Sequence, residues 1–283
     1  MRKYVVMLLI AAILQIAIYF YLDRVVLVPA ANFSQRIITD EAKSAVNPQN
    51  ISKDQKYYAE LEPTCVKFFT ADNVLVKEVP LQVEDSVSCF SWVPDTHLTL
   101  IGISSSTSQG TSVTLKSVDL DSDISRPELM ISGLSSGSTI VAAAFSPQGN
   151  ASYIQVKDSM ESSVYRSDAN NHLIKVFTGS SVLRIAVMQS EETLLYDSNQ
   201  EGAVYALSKD GKPVMVSPQE GQYALIGTDQ DDNIYIGRLS SPGVISDVLK
   251  GAKNGNFTEF QTLAYPYPVA SVTINYDGKL VLA

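Results

Sequence analysis

Short apolar runs and polar turns alternate along the chain from Tyr57 to the C-terminus. The runs are rich in Val, Ile, Tyr, Thr and Phe, and the turns contain Asp, Asn, Gly, Ser and Pro. This composition is typical of β-strands joined by tight turns, and no helical period persists for more than about two turns. The pattern predicts an all-β domain with hairpin turns at residues 70–73, 94–97, 146–149, 190–193, 229–233 and 276–279.

The spacing of these turns predicts how the strands are arranged. Five turns, centred near Asp95, Gln148, Glu191, Asp231 and Asp277, follow one another at intervals of roughly 40 to 53 residues. A period of about 40 to 50 residues with four strands per unit indicates a β-propeller, in which each unit is one blade. The count gives about five four-stranded blades, with a sixth if residues 57–61 begin another.

The two ends of the repeat region predict how the ring is closed. Residues 269–274 and 279–283 supply only two strands, whereas the hairpin over residues 65–79 belongs to no complete unit. Pairing between these N- and C-terminal strands would complete one blade and remove free sheet edges, which otherwise promote association with other chains. We therefore expect the propeller to be closed by that pairing.

A long apolar segment precedes the repeats. The sequence is uncharged from Tyr4 to Leu22 and begins with the basic residues Arg2 and Lys3. A helix of this length, rising about 1.5 Å per residue, spans roughly the 30 Å core of a bilayer. Basic residues favour the cytoplasmic side, so the N-terminus is predicted to be cytoplasmic. The sequence thus predicts a single-pass cell-membrane protein with a cytoplasmic N-terminus (1–3), a transmembrane signal-anchor helix (4–22), a stalk (23–56) and an extracytoplasmic propeller (57–283).

A cleaved signal peptide is the alternative reading of the apolar segment. Signal peptides contain an apolar region of only about 7 to 15 residues. The one acceptable cleavage site, before Ala31, is separated from the apolar run by Asp23 and Arg24. We therefore predict an uncleaved membrane anchor.

Composition restricts the class of partner. The chain has a net charge of −9 and no basic run. Phosphate binding requires clustered Lys and Arg, so a nucleic-acid partner is not expected. A hydrophobic content of 45% also excludes a wholly disordered domain after the anchor.

The sequence offers few candidates for catalysis. The only histidines, His97 and His172, lie in predicted turns and give little material for a triad or a metal cluster. The segment 133–137 matches the G-x-S-x-G pattern of hydrolases, but a β-run follows it instead of the helix that presents the serine. It is therefore interpreted as a linker between blades, and no catalytic residue and no cofactor are predicted.

Alternating carboxylates at Asp119, Asp121 and Asp123 are similar to the start of a calcium-binding loop. An EF-hand loop requires Gly at its sixth position and Glu at its twelfth, and these positions hold Ile124 and Met130. Solvated carboxylates at the end of a strand are the better interpretation. No metal site is predicted here or at the acidic turn 229–233.

The only two cysteines, Cys65 and Cys89, both fall in the predicted extracytoplasmic part. Oxidising compartments permit a disulfide, and a bond between these two residues would stabilise the fold by about 3 kcal/mol. The alternative is a pair of buried free thiols, because free Cys is among the most buried residue types. The sequence leaves both readings open.

Two segments resemble a known family. Residues 89–102 read CFSWVPDTHLTLIG and residues 144–154 read AFSPQGNASYI, with a weaker copy, YDGKLVL, at residues 276–282. These resemble the F-S-P-D-G element of WD40-like propellers of the TolB type. The resemblance implies a propeller fold far more than an activity, since propellers include both enzymes and interaction scaffolds. Together with the short basic start, it also indicates a bacterial origin, although a eukaryotic type II membrane protein stays open.

Three functions follow as hypotheses. The anchor, the repeats and the scarcity of catalytic residues favour a membrane-anchored platform that binds a protein, a peptide or an envelope ligand. The second hypothesis is a propeller hydrolase or lyase with carboxylates, or a metal, in the central channel. The third is a structural subunit of a membrane complex.

Overall fold

The computed structural model describes Gln15 and residues 50–282, except residues 108–109, 123–127, 160, 180–181, 199 and 210. The chain divides into two units, Met1–Ala45 and Val46–Ala283, and all described residues except Gln15 lie in the second. The predicted transmembrane span lies outside the described residues apart from Gln15, which is helical. Within the described part of the chain, no helix is long and apolar enough to cross a membrane.

The second unit consists of antiparallel β-sheets, so the all-β prediction is confirmed. Its 21 described strands form six sheets, which we number in chain order. Each sheet contains strands that follow one another in sequence, as expected for strands joined by hairpins. Sheet 1 contains β1 (Tyr57–Leu61), β2 (Cys65–Thr70) and β3 (Leu75–Pro80); sheet 2 contains β4 (Asp85–Trp92), β5 (Leu98–Thr107), β6 (Gly110–Asp119) and β7 (Leu129–Leu134); sheet 3 contains β8 (Thr139–Ser146), β9 (Ala151–Lys157), β10 (Ser162–Ser167) and β11 (Leu173–Gly179).

The remaining sheets continue the same order and end with the shortest one. Sheet 4 contains β12 (Ile185–Val187), β13 (Thr193–Ser198), β14 (Ala203–Ser208) and β15 (Val214–Met215); sheet 5 contains β16 (Tyr223–Thr228), β17 (Ile234–Ser241), β18 (Val244–Gly251) and β19 (Phe257–Pro268); sheet 6 contains β20 (Val272–Ile274) and β21 (Leu280–Leu282), after a 3-10 turn at Val269–Ser271.

Apolar clusters join each sheet face to face with the next. Phe68 of sheet 1 packs with Ile101 of sheet 2, and Leu100 on the opposite face of sheet 2 packs with Ile154 of sheet 3. Similar clusters join sheets 3 and 4, 4 and 5, and 5 and 6. The first strands of sheets 2 to 6 surround one central cavity, which is the arrangement of a β-propeller. Residues 57–61, considered as the start of a sixth blade, form the first strand of sheet 1, which has three strands and contributes no described residue to the lining of that cavity.

The predicted closure by strand pairing is wrong. Among the described residues, sheets 1 and 6 are separate and no strand of one pairs with a strand of the other. In the hairpin over residues 65–79, β2 pairs with β1 on one side and β3 on the other. Ile51 forms a β-bridge with Tyr58 of β1. Side chains connect the two ends instead, including an ion pair between Lys53 and Asp277 at 3.3 Å.

The folded domain also begins earlier than the predicted boundary at residue 57. Ser52 is buried, its hydroxyl donates to Asp54 at 2.8 Å, and it accepts a hydrogen bond from the backbone N–H of Tyr57 at 3.0 Å. Residues 50–56, assigned to the stalk from their polarity, are therefore part of the domain. Their polar side chains form hydrogen bonds in turns and ion pairs within the domain. Composition alone cannot distinguish such side chains from the solvated side chains of a stalk.

One half-buried arginine connects three sheets. Arg184, just before β12, donates through Nη2 to the carbonyl oxygen of Val269 at 2.5 Å and through Nη1 to that of Val272 at 2.5 Å and of Ile226 at 3.4 Å. Burial lowers its pKa, and the charge of Asp197 opposes that shift. A planar guanidinium has several donors in fixed directions and can hold carbonyls of separate segments at once.

Gly102 marks the closest approach of sheets 2 and 3. A Cβ at this position would lie 2.9 Å from the Cβ of Ile140 and 3.0 Å from that of Cys89. Both atoms are attached directly to the backbone, so they cannot move aside by rotation. Only glycine fits between the two sheets here.

We expect Gly102→Ala to destabilise the domain by about 1–3 kcal/mol, because the added methyl group collides with the next sheet. Gly211→Ala is the matched control, since a Cβ there meets only ordinary contacts, the nearest at 3.4 Å. Chemical denaturation of the two variants and the wild type measures both changes. Equal midpoints for the two variants would contradict the packing described for Gly102.

Candidate functional site

Five turns lie at the same end of the ring and form what we call the turn face. They follow the first strands of sheets 2 to 6 and comprise residues 94–97, 147–150, 189–192, 229–233 and 275–278. Asp95 and Asp232 adopt left-handed φ angles of 55° and 59°, which Asp and Asn tolerate better than other side chains. The turn chemistry read from the sequence therefore determines which residues reach this surface.

Neighbouring turns hold one another through hydrogen bonds. The carboxylate of Asp232 accepts from the backbone N–H groups of Gln189 at 2.5 Å and Ser190 at 2.8 Å. The backbone N–H of Gln230 donates to the carbonyl oxygen of Tyr276 at 3.0 Å. Asp232, which lies in an acidic turn where no metal site is predicted, joins sheets 4 and 5.

A cavity of about 240 Å³ occupies the channel, and a recess of about 780 Å³ adjoins it at the turn face. The recess lies between β4, sheet 6 and the residues before β1, because sheet 6 has only two strands. Its wall contains Phe90 and Trp92 together with Ile51 and Ile274. The two cavities share five lining residues: Ser91, Trp92, Pro94, Ile274 and Tyr276.

Lys53 forms the polar rim of this recess. Its ammonium group lies 3.0 Å from Asp95 and 3.3 Å from Asp277, and 4.2 Å from the centre of the Tyr276 ring. Burial would lower the pKa of Lys53, but hydrogen bonds to both carboxylates outweigh it and raise the pKa. The Lys53 hydrogen bond lowers the pKa of Asp95, whereas burial and a hydrogen bond to Asp95 raise that of Tyr276 to about 12. The rim thus places one lysine between two carboxyl groups and beside a phenol.

A histidine held between two carboxylates lies beside this rim. His97 Nε2 is 3.0 Å from Asp54 Oδ2, and Nδ1 is 2.6 Å from Asp121 Oδ2. The edge of the His97 ring meets Tyr57 at a centroid distance of 4.8 Å. Burial would lower the pKa of His97, but its hydrogen bonds to the two carboxylates raise it. Burial acts to raise the pKa of Asp54, yet the bonds to His97, Lys56 and Ser52 lower it.

These two polar groups were not identified from the sequence. His97 and Asp121 were noted only as a turn residue and a strand-end carboxylate, and Lys53 and Tyr276 carried no prediction. The hydrogen-bonded partners are 24 and 43 residues apart. The acidic residues after β6 were a local signal, but only the fold brings them to the histidine.

The arrangement offers little for covalent or metal chemistry. None of the described residues that line the channel cavity is a carboxylate, histidine, cysteine, lysine or arginine. Ser91, its one serine, donates to the carbonyl oxygen of Ala143 at 3.4 Å. No group of three or more metal-binding side chains is present in the described ranges. The G-x-S-x-G segment links β7 to β8 without a helix, as the linker interpretation requires.

The disulfide considered between Cys65 and Cys89 is not formed, and both thiols are free. Cys89 packs between sheets 2 and 3, whereas Cys65 belongs to sheet 1, which covers the opposite face of sheet 2. Burial raises the pKa of Cys89 to about 11, and burial with a hydrogen bond to Glu62 raises that of Cys65. Strand alternation, which places adjacent residues on opposite faces, separates the two thiols.

We expect His97 to stabilise the domain more at pH 5.5 than at pH 8.5. Because folding raises the pKa of His97, its contribution is complete below the ordinary pKa of about 6.5 and is lost as pH rises through the folded value. The lowered pKa of Asp54 keeps that carboxylate ionised at both pH values. Urea unfolding of His97→Gln against wild type at each pH measures the difference.

His172→Gln is the control for this experiment, because His172 is exposed in the turn before β11. Because it replaces an exposed side chain, we expect it to change the free energy of unfolding by less than about 0.5 kcal/mol. The free energy of unfolding of wild type is expected to exceed that of His97→Gln by more at pH 5.5 than at pH 8.5. An equal or larger difference at pH 8.5 would show that the two carboxylates do not stabilise the imidazolium.

No family model matches the sequence, and no curated protein matches it. Solved structures do share its fold. An oligogalacturonate lyase in complex with manganese matches with a TM-score of 0.58 and 8% identity, over 81% of this chain and 68% of that chain. The WD40 repeats of RRP9 match with a TM-score of 0.53 and 13% identity, over 81% and 69%. U3-55K matches with a TM-score of 0.53 and 12% identity, over 81% and 69%.

At identities this low, the structural similarity establishes the fold alone and says nothing about the chemistry of this chain. The similar structures include an enzyme, the lyase, and a set of WD40 repeats. The shared fold therefore does not indicate whether a protein is an enzyme. The resemblance to the TolB type remains a prediction from the turn motifs. The chain has the β-propeller fold.

Proposed function

We propose that this protein is a membrane-anchored platform that binds a protein or peptide ligand on the turn face. The observation that carries the proposal is the recess of about 780 Å³ that opens there and continues into the channel. Ligand-binding sites are concave, mostly apolar and provided with a few placed polar groups. The recess has these properties.

The chemistry of the recess favours a ligand with an apolar side chain beside a basic group. The rings of Phe90 and Trp92 line the wall, and indole and phenyl groups provide large apolar contact at low entropic cost. At the rim, Asp95 and Asp277 outnumber Lys53, and both carboxylates are about half exposed. A basic group of a ligand would therefore meet negative potential as it approaches.

The enzyme hypothesis lacks a comparable basis in the channel. Hydrolysis or elimination needs an acid, a base or a nucleophile directed at one point. The described residues around the channel cavity are apolar, small or uncharged polar. The turn-face carboxylates mainly form ion pairs and hold turns. Binding without turnover is the simpler function for this surface.

The membrane anchor is supported by the sequence. The uncharged run from Tyr4 to Leu22 after two basic residues has the length of a bilayer core and the flanking charge of a cytoplasmic start. The propeller would then face the extracytoplasmic side and meet its partner there. A nucleic-acid partner remains unexpected at a net charge of −9.

Expression of the full chain in a bacterial host tests the anchor. The protein is expected to stay in the membrane after carbonate extraction, to retain Met1 or Arg2 as its first residue, and to be digested by external protease in spheroplasts. Release into the periplasm with Ala31 as the first residue would show that the apolar segment is a cleaved signal peptide and not an anchor. Protection from external protease would reverse the proposed orientation.

A photo-crosslinking residue tests the binding site in native membranes. Placed at Gln55 in the recess wall, it is expected to give one discrete adduct, and placed at the fully exposed Val83, none. Asp277→Asn should reduce the adduct several-fold by removing rim charge, whereas Asp72→Asn, in the turn of sheet 1, should not. An adduct unaffected by Asp277→Asn, or equal at both positions, would contradict a ligand in the recess. An adduct that accounts for nearly all of the protein would favour a structural subunit instead.

A further inference from the structure

A second cavity lies between the outer strands of sheets 3 and 4, away from the recess. It has a volume of about 360 Å³. Its origin is the unequal length of the outermost strands: β11 has seven residues and β15 only two. Much of β11 therefore has no strand of sheet 4 beside it.

The walls of this cavity are aromatic and aliphatic. Phe177 and Tyr196 from the two sheets meet at a centroid distance of 4.6 Å, and Ile174 is 44% exposed. The one buried charge in the lining, Arg166, is neutralised by Glu192 at 2.5 Å. The interior is suited to one apolar side chain of a ligand, aromatic ones included.

One lysine supplies positive charge at the edge of the cavity. Lys209 lines it, is exposed and forms no ion pair with any other described residue. The ammonium group of Lys175 lies instead 5.6 Å from the centre of the Tyr165 ring, on the face of sheet 3 that packs against sheet 2. This contrasts with the overall charge of −9 and with the acidic rim of the recess. A ligand carrying a carboxylate beside its apolar group would complement this edge.

The edge of β11 indicates that the ligand is an extended chain. β11 is the outermost strand of sheet 3, and its residues 174–177 line the cavity consecutively. An edge strand presents alternate backbone N–H and C=O groups that can pair with an added strand. Side chains of an added strand alternate, so residues two apart reach the same face.

We propose that an extended segment of a partner protein adds to the edge of β11. An aromatic side chain of that segment fills the cavity, and an acidic side chain two positions away meets Lys209. The site is separate from the recess and does not depend on the function proposed for the turn face. It would bind an acidic segment, whereas the recess favours a ligand with a basic group.

Labelled, acetylated heptapeptides test the proposal by fluorescence polarisation with the full chain in detergent micelles. The probe TTFTETT places Phe and Glu on one face of a strand, and TTFTKTT and TTSTETT each change one of these two groups. We expect TTFTETT to bind roughly five- to tenfold more tightly than either matched peptide. Equal affinities, or no binding of TTFTETT up to millimolar concentration, would overturn the proposal.

Charge reversal on the protein provides the decisive comparison. The variant Lys209→Glu should prefer TTFTKTT over TTFTETT, which a merely unfolded variant cannot do. The control Lys279→Glu changes the net charge equally at another exposed position and should keep the wild-type preference. An unchanged preference in the first variant would place the peptide elsewhere.

Backbone pairing is tested with two further peptides that carry N-methyl groups at alternate positions. Only one set of alternate N–H groups faces β11, so one methylated peptide should lose binding and the other should keep it. Equal loss or equal retention would contradict strand addition. Binding of 3-phenylpropionate as tight as that of TTFTETT would assign the cavity to a small aromatic acid instead of a protein segment.

Discussion

The structure depends on one packing constraint: every complete blade must bury both of its faces. In β16, Leu225 faces the cluster with sheet 4, whereas its neighbours Ala224 and Ile226 face the cluster with sheet 6. Adjacent residues of one strand therefore stabilise two different interfaces. This explains why the inner strands read as continuous apolar runs instead of alternating with polar residues, and why Gly102 is needed where two sheets approach most closely.

Sites arise where the packing constraint is incompletely met. Sheet 6 has two strands, and the space beside it becomes the recess. Sheet 4 ends in a strand of two residues, and the space beside β11 becomes the second cavity. The two sites differ in charge because different turns border them, with Asp95 and Asp277 at one and Lys209 at the other. A regular ring thus presents two distinct surfaces through small deviations in strand length.

Local chemistry made much of the fold predictable from the sequence. Asp, Asn and Gly at the turns specify hairpins within a few residues, and their spacing specifies the repeat. Closure depended instead on Ile51 and Lys53, whose partners are distant and whose polar surroundings suggested a stalk. The position of His97 between Asp54 and Asp121 was equally unpredictable. Cys65 and Cys89 were ambiguous because a strand buried on both faces gives no sign of which face each side chain takes.

Arg184 has a consequence for the order in which the domain is assembled and opened. It contacts carbonyl groups 85 and 88 residues further along the chain, so these two hydrogen bonds form only once sheet 6 has formed. Contacts of such sequence separation slow folding, because a long loop must close before any stabilisation is gained. Sheet 6 is the smallest sheet and is joined to the start of the domain by side chains such as Lys53. Transient opening of the native ring should therefore begin there, and amides of β20 and β21 should exchange with solvent before those of the larger sheets.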